Sequence, residues 1–129
     1  MSASDPESNG RSLDELVTAA DSLVDHPDPR VRYGVTHALL GQDDPRAIEL
    51  LIRLTTDRDA DVRDWATFGI GTLSELDTPE IRGALAARLG DPHDDTRGEA
   101  LIGLARRKDH RVVPALIIEL SSDCVGTLA

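Results

Sequence analysis

Apolar residues recur along this chain at i, i+3 and i+4: Leu13, Leu16, Val17, Ala20, Leu23 and Val24 in one segment, Val31, Val35, Ala38 and Leu39 in the next. That period places one apolar stripe on an α-helix. Start signals punctuate the pattern. Ser12 with Glu15 three residues on reads as a capping box. Asp28-Pro29 and Asp44-Pro45 each put a side-chain acceptor ahead of a proline at the first helical position, where the missing N–H costs nothing. Helices are predicted over 12–25, 28–41, 44–56, 60–74, 78–89, 94–106 and 110–121, joined by short loops, with no strand.

These segments alternate between two types. Asp28-Pro29-Arg30-Val31-Arg32 is echoed by Asp59-Ala60-Asp61-Val62-Arg63 and, more loosely, by His93-Asp94-Asp95-Thr96-Arg97. Between them lie Asp44-Pro45-Arg46-Ala47-Ile48, Asp77-Thr78-Pro79-Glu80-Ile81 and Asp109-His110-Arg111-Val112-Val113. Alternation of this kind is the mark of a repeat built from helical pairs. Aligning the second helix of each pair gives three core columns: Val31, Val62 and Thr96; Val35, Ala66 and Ala100; Leu39, Ile70 and Leu104. A small-residue column of Ala38, Gly69 and Gly103 predicts close helix crossings, because a helix-interior glycine otherwise costs ~1 kcal/mol relative to alanine. Arg32, Arg63 and Arg97 form a ladder column, expected to meet the capping aspartates Asp28 and Asp59 one turn earlier. Thr96 and His93 depart from the pattern, so the ladder is expected to break or shift in the third unit.

The unit D-x-x-V-R-x-x-A-x-x-x-L followed by a P-A-L-I-x-x-L type helix resembles the HEAT repeat, in a short variety similar to the repeats of phycobilisome bilin lyases. The resemblance spans 12–122 and implies an all-α, right-handed α-α superhelix, a HEAT-like solenoid of about three and a half helical pairs. It also implies a binding module of scaffold, regulatory or immunity type, with the second helices lining a concave face. Residues 1–11 are expected to be a disordered tail, and 123–129 the truncated start of a further repeat.

Composition narrows the partner. The chain has 129 residues, enough for one domain, and 14 Lys+Arg against 24 Asp+Glu give a net charge of −10, which repels a phosphate backbone and disfavours nucleic acid. No apolar run reaches the roughly 20 residues of a membrane span. No secretory signal opens the sequence, and the lone Cys124 has no internal disulfide partner, so a bacterial cytoplasm is the expected compartment.

No catalytic motif is present and no cofactor is expected, which favours a non-catalytic function. His26, His93 and His110 fall in Asp/Pro-rich turns, where a structural role is expected in place of a metal site at Asp91, His93, Asp94 and Asp95. Arg106, Arg107, Lys108 and Arg111 are expected to face helix carbonyls. The informative feature is aromatic. Tyr33, Trp65 and Phe68 are the only aromatics of their kind, and all lie in second helices. In register with them stand His37, Asp64 and Glu99. The six are the expected partner-binding residues, on an acidic face suited to another protein with a basic surface. A bilin lyase-like groove for a chromophore is the alternative. The stripe Val113, Leu116, Ile117 and Leu120 has no following helix to cover it, which makes self-association through the C-terminal helix a further expectation.

Overall fold

Aspartates open the helices. Asp28 accepts the backbone N–H of Arg30 at 2.9 Å, Asp44 that of Arg46 at 2.9 Å, and Asp59 those of Asp61 and Val62 at 2.9 and 3.1 Å. Thr78 Oγ1 accepts from Ile81 at 3.1 Å. Each cap satisfies an otherwise orphaned donor and stabilises its helix by ~1 kcal/mol. The computed structural model describes the backbone of residues 6–128 and the side chains of residues 12–121.

Seven α-helices result among the described residues: α1 (Pro6–Leu23), α2 (Pro29–Leu39), α3 (Pro45–Leu54), α4 (Ala60–Phe68), α5 (Pro79–Ala87), α6 (Asp94–Arg106) and α7 (Val112–Leu128). A π-helical turn, Gly69–Leu73, prolongs α4, and a 3-10 turn, Arg88–Gly90, prolongs α5. No strand occurs among the described residues. The second helices α2, α4 and α6 stack on one another, α1, α3 and α5 form the other layer, and α7 packs on α6. The architecture is an all-α solenoid.

Both ends differ from the sequence expectation. α1 starts at Pro6, so residues 6–11 are helical backbone and not a tail, and Ser12 lies inside the helix and not at its cap. Asp5-Pro6 repeats the Asp-Pro start signal seen at α2 and α3. The remainder of the expected tail, residues 1–5, lies outside the described residues. At the other end α7 runs on to Leu128, so 123–128 prolong α7 instead of opening a new helix. Asp123 has no proline after it to turn the chain, and propagation of an existing helix adds one hydrogen bond per residue.

The core columns are buried as aligned: Val62, Ala66, Ile70, Leu39, Ala100, Leu104 and Thr96 are inaccessible, with Val35 nearly so and Val31 partly buried against the core. The small-residue column is less uniform. Ala38 is exposed. Gly69 packs on Leu40 and Leu51, and a Cβ there would sit 2.8 Å from Leu40 Cδ2. The tightest crossing joins α6 to the π-helical turn, because a Cβ on Gly103 would lie 2.8 Å from the Cα of Gly71. That contact is backbone against backbone, so any side chain at 103 forces the helices apart.

The arginine ladder also corrects the expectation. The arginines do not fold back on Asp28 and Asp59. They cross to the loop of the next repeat. Arg32 grips Asp57 through Nε and Nη2 at 2.8 and 3.1 Å while its Nη1 donates to the carbonyls of His26 and Pro27. Arg63 repeats this on Asp91 at 2.9 and 3.2 Å and donates to the carbonyls of Asp57 and Arg58. The third unit keeps the ladder with a substitute: Arg97 donates to the carbonyl of Asp91 and meets Glu119 of α7 at 2.9 Å, together with Asp94. His93 Nδ1 is 3.1 Å from Thr96 Oγ1, which gives the buried threonine a partner where the other units carry valine.

Asp91 is fully enclosed, and Arg63 and Arg88 both meet it. Burial raises its pKa, but the bonds from Arg63, the His93 N–H and Arg88 outweigh burial and hold the carboxyl below its usual range. Its contribution to stability is therefore complete above the ordinary aspartate range and is lost as pH falls through the depressed value. Asp91→Ala should cost about 3–5 kcal/mol in urea unfolding at neutral pH, by stranding two arginines. Asp25→Ala, which removes an 83% exposed partner of Arg53, should cost under about 1 kcal/mol. Equal losses would show that the ladder carries no special weight.

Candidate functional site

The second helices bury Val35, Ala66 and Ala100 and turn the opposite face outward, so the residues at positions 33, 37, 64, 65, 68 and 99 share one surface. The rings form a continuous strip. Tyr33 and His37 lie with centroids 4.5 Å apart on α2, His37 meets Trp65 of α4 at 4.5 Å, and Trp65 meets Phe68 edge to face at 5.8 Å. The His37–Trp65 contact is the one that crosses between repeats. Tyr33 is 38% exposed, and Trp65, His37 and Phe68 are half-buried. Trp65 is thus neither a core plug nor a free surface ring: one part packs on its neighbours and the other faces solvent.

Beside the strip, α4 and α6 bound a depression of ≈ 270 Å³ lined by Asp64, Trp65, Phe68, Asp95 and Glu99. Burial raises the pKa of Asp64, and Asp95, Asp61 and Asp91 add to the rise while His93 opposes it. Burial likewise raises Glu99, with repulsion from Asp64 and Asp95. The neighbouring carboxylates thus disfavour the charged form of both groups. Asp64 Oδ1 and His37 Nε2 are buried without a hydrogen-bond partner among the described residues. Such atoms are costly to leave unpaired and are satisfied by a donor or acceptor arriving from outside.

All six residues singled out from the sequence thus lie on one face, joined by the ring strip and the depression. Asp95 was missed. Its helical spacing of four from Glu99 on α6 places the two carboxylates side by side and was the available signal.

The basic cluster has a different employment. Arg107 donates to the carbonyls of Ile70, Gly71, Ser74 and Leu76 at 2.7–3.3 Å, and Arg106 to those of Gly71 and Thr72. The carbonyls are those of the neighbouring π-helical turn and of Ser74 and Leu76 just after it, with Gly103 the one carbonyl from α6 itself. Burial lowers the Arg107 pKa from its usual value. Arg111 is spent on Asp109. Among the described residues no group of three or more His, Cys, Asp or Glu is placed to hold a metal ion, and no helix is long and apolar enough to cross a membrane.

Comparison with known proteins agrees with this architecture. The profile of HEAT repeats matches residues 8–71 and again 50–126. The chain is 39% identical over 95 residues to protein YibA of Escherichia coli K12, and equally to that of Escherichia coli O157:H7, covering 74% of this chain and 34% of each relative. It therefore spans about a third of the length of these relatives. The X-ray structure of Escherichia coli YibA superposes with a TM-score of 0.76 at 33% identity, over 88% of this chain and 40% of that one. The solenoid, the Val-Arg units and the twofold profile match converge on one conclusion: the chain belongs to the family of HEAT-repeat proteins.

Proposed function

We propose that the chain is a non-catalytic binding module whose second-helix face, the concave face of such solenoids, takes up another protein with a basic surface. The ring strip Tyr33–His37–Trp65–Phe68 beside Asp64 and Glu99 is the observation that carries this reading. Half-exposed Trp and Tyr supply large contact area at low entropic cost, and the net charge of −10 favours encounter with a cationic partner. The chain's membership among HEAT repeats, whose stacked helices build extended binding surfaces, supports the same reading.

Trp65→Ala is the direct test. The variant should remain folded, with at most about 1 kcal/mol lost in thermal unfolding. Partners captured by the wild type from a cell lysate should bind it at least ~2 kcal/mol more weakly. Recovery of the same partners at the same affinity would remove this face from consideration. A loss of ~3–5 kcal/mol in stability would instead make Trp65 a core residue.

Helix α7 belongs to the same proposal. Val113, Leu116, Ile117, Ile118 and Leu120 of α7 are 39–65% exposed, a large apolar surface on one helix. We infer that this edge self-associates through α7. Sedimentation velocity from micromolar to millimolar concentration should show a reversible monomer–dimer shift, abolished by Ile117→Glu with Leu120→Glu. A strict monomer over that range contradicts it.

A further inference from the structure

The depression between α4 and α6 is, we propose, a receptor for one arginine side chain of a bound protein, with the guanidinium stacked on Trp65 and Phe68 and held by Asp64, Asp95 and Glu99. The inference rests on the protein-binding reading above and specifies what that face recognises.

Charge bookkeeping within the fold leads to it. Of the chain's thirteen arginines, three meet carboxylates near this site: Arg63 and Arg88 meet Asp91, and Arg97 meets Asp94 and Glu119. Two other depressions hold an ion pair in their own lining, Arg32 with Asp57 and Arg106 with Glu75. A third sets Arg30 beside Asp59 and Asp61, and a fourth carries two carboxylates, Glu15 and Asp14, the latter meeting Arg46 at 2.6 Å. Here three carboxylates line a cavity whose described lining holds no cation, and Asp64 Oδ1 is enclosed without a donor. Burial and repulsion from neighbouring carboxylates at Asp64 and Glu99 point to the same deficit.

The wall decides the kind of cation. Trp65 and Phe68 present ring surface next to the carboxylates, and a ring face attracts a cation most strongly where water is displaced. A guanidinium is planar, so it stacks on a ring while its edge keeps five donors for carboxylates. An ammonium is a compact, strongly hydrated point charge with three. The chain already solves this recognition problem for itself, since Arg63 forks onto Asp91 with Nε and Nη2. An arginine from outside would complete the same geometry at a site where the sequence provides the acceptors and omits the donor.

The test uses the chain's single tryptophan, Trp65, as the reporter and blocked hexa-arginine, hexa-lysine and hexa-citrulline as probes. Hexa-arginine should perturb Trp65 fluorescence saturably and bind at least about fivefold more tightly than hexa-lysine, with hexa-citrulline inert. The triple variant Asp64→Asn, Asp95→Asn, Glu99→Gln should weaken hexa-arginine at least about tenfold. An equal charge change on the other layer, Glu15→Gln, Glu49→Gln, Glu80→Gln, should weaken it less than about threefold, as screened attraction alone would. Circular dichroism confirms that both variants fold, and the single variants Asp95→Asn and Glu99→Gln should move in the same direction. Equal weakening by the two triples, or lysine bound as tightly as arginine, overturns the arginine receptor. The broader reading fails separately, when folded Trp65→Ala still captures the same partners.

Discussion

The second helices α2 and α4 each send one arginine across to the loop of the following repeat, α6 sends Arg97 to Glu119 of α7, and the rest of the structure depends on these contacts. Arg32 and Arg63 reach from α2 and α4 to Asp57 and Asp91, which are themselves enclosed, and their remaining N–H groups take up loop carbonyls. A carboxylate in such a place is costly unless paired, and a loop carbonyl is costly unless bonded. One guanidinium meets both demands. The geometry is also specific, because a forked pair tolerates little sliding of one repeat on the next.

Register between repeats is what makes the outward face a surface instead of a scatter of side chains. His37 and Trp65 belong to different helical pairs, and their rings meet at 4.5 Å only because α2 and α4 are held at one offset. The same holds between α4 and α6, where Asp64, Trp65 and Phe68 come from one helix and Asp95 and Glu99 from the other. The backbone contact of Gly71 with Gly103 brings those two helices close on the buried side. The ladder on one edge and the glycines within thus position the candidate site without any of its own residues being required to hold it.

Most of the fold was legible because its signals are local. Asp-Pro starts and the i, i+3, i+4 stripe located all seven helices, and the aligned columns located the core. What escaped was long-range or ambiguous locally. The partner of Arg32 lies 25 residues on, and nothing in Asp28-Pro29-Arg30-Val31-Arg32 distinguishes the capping aspartate from the one in the next loop. The π-helical turn at Gly69–Leu73 depends on Arg107, more than thirty residues away, to take its freed carbonyls. The candidate site shows the same division. Repeat alignment brought Tyr33, His37, Asp64, Trp65, Phe68 and Glu99 to one face, whereas Asp95, an acid of the same helix layer that also stands among the loop residues around His93, was not counted with them.

The link between ladder and face is open to direct measurement by nuclear Overhauser contacts among the rings, comparing the wild type with Asp57→Asn at a temperature where both are folded. Trp65 and Phe68 share α4, so their contact should persist in the variant. The His37–Trp65 contact spans two repeats and should weaken or vanish, because Arg32 has lost its forked partner. Both contacts at full strength in Asp57→Asn would contradict the claim that the arginine ladder sets the register of the binding face.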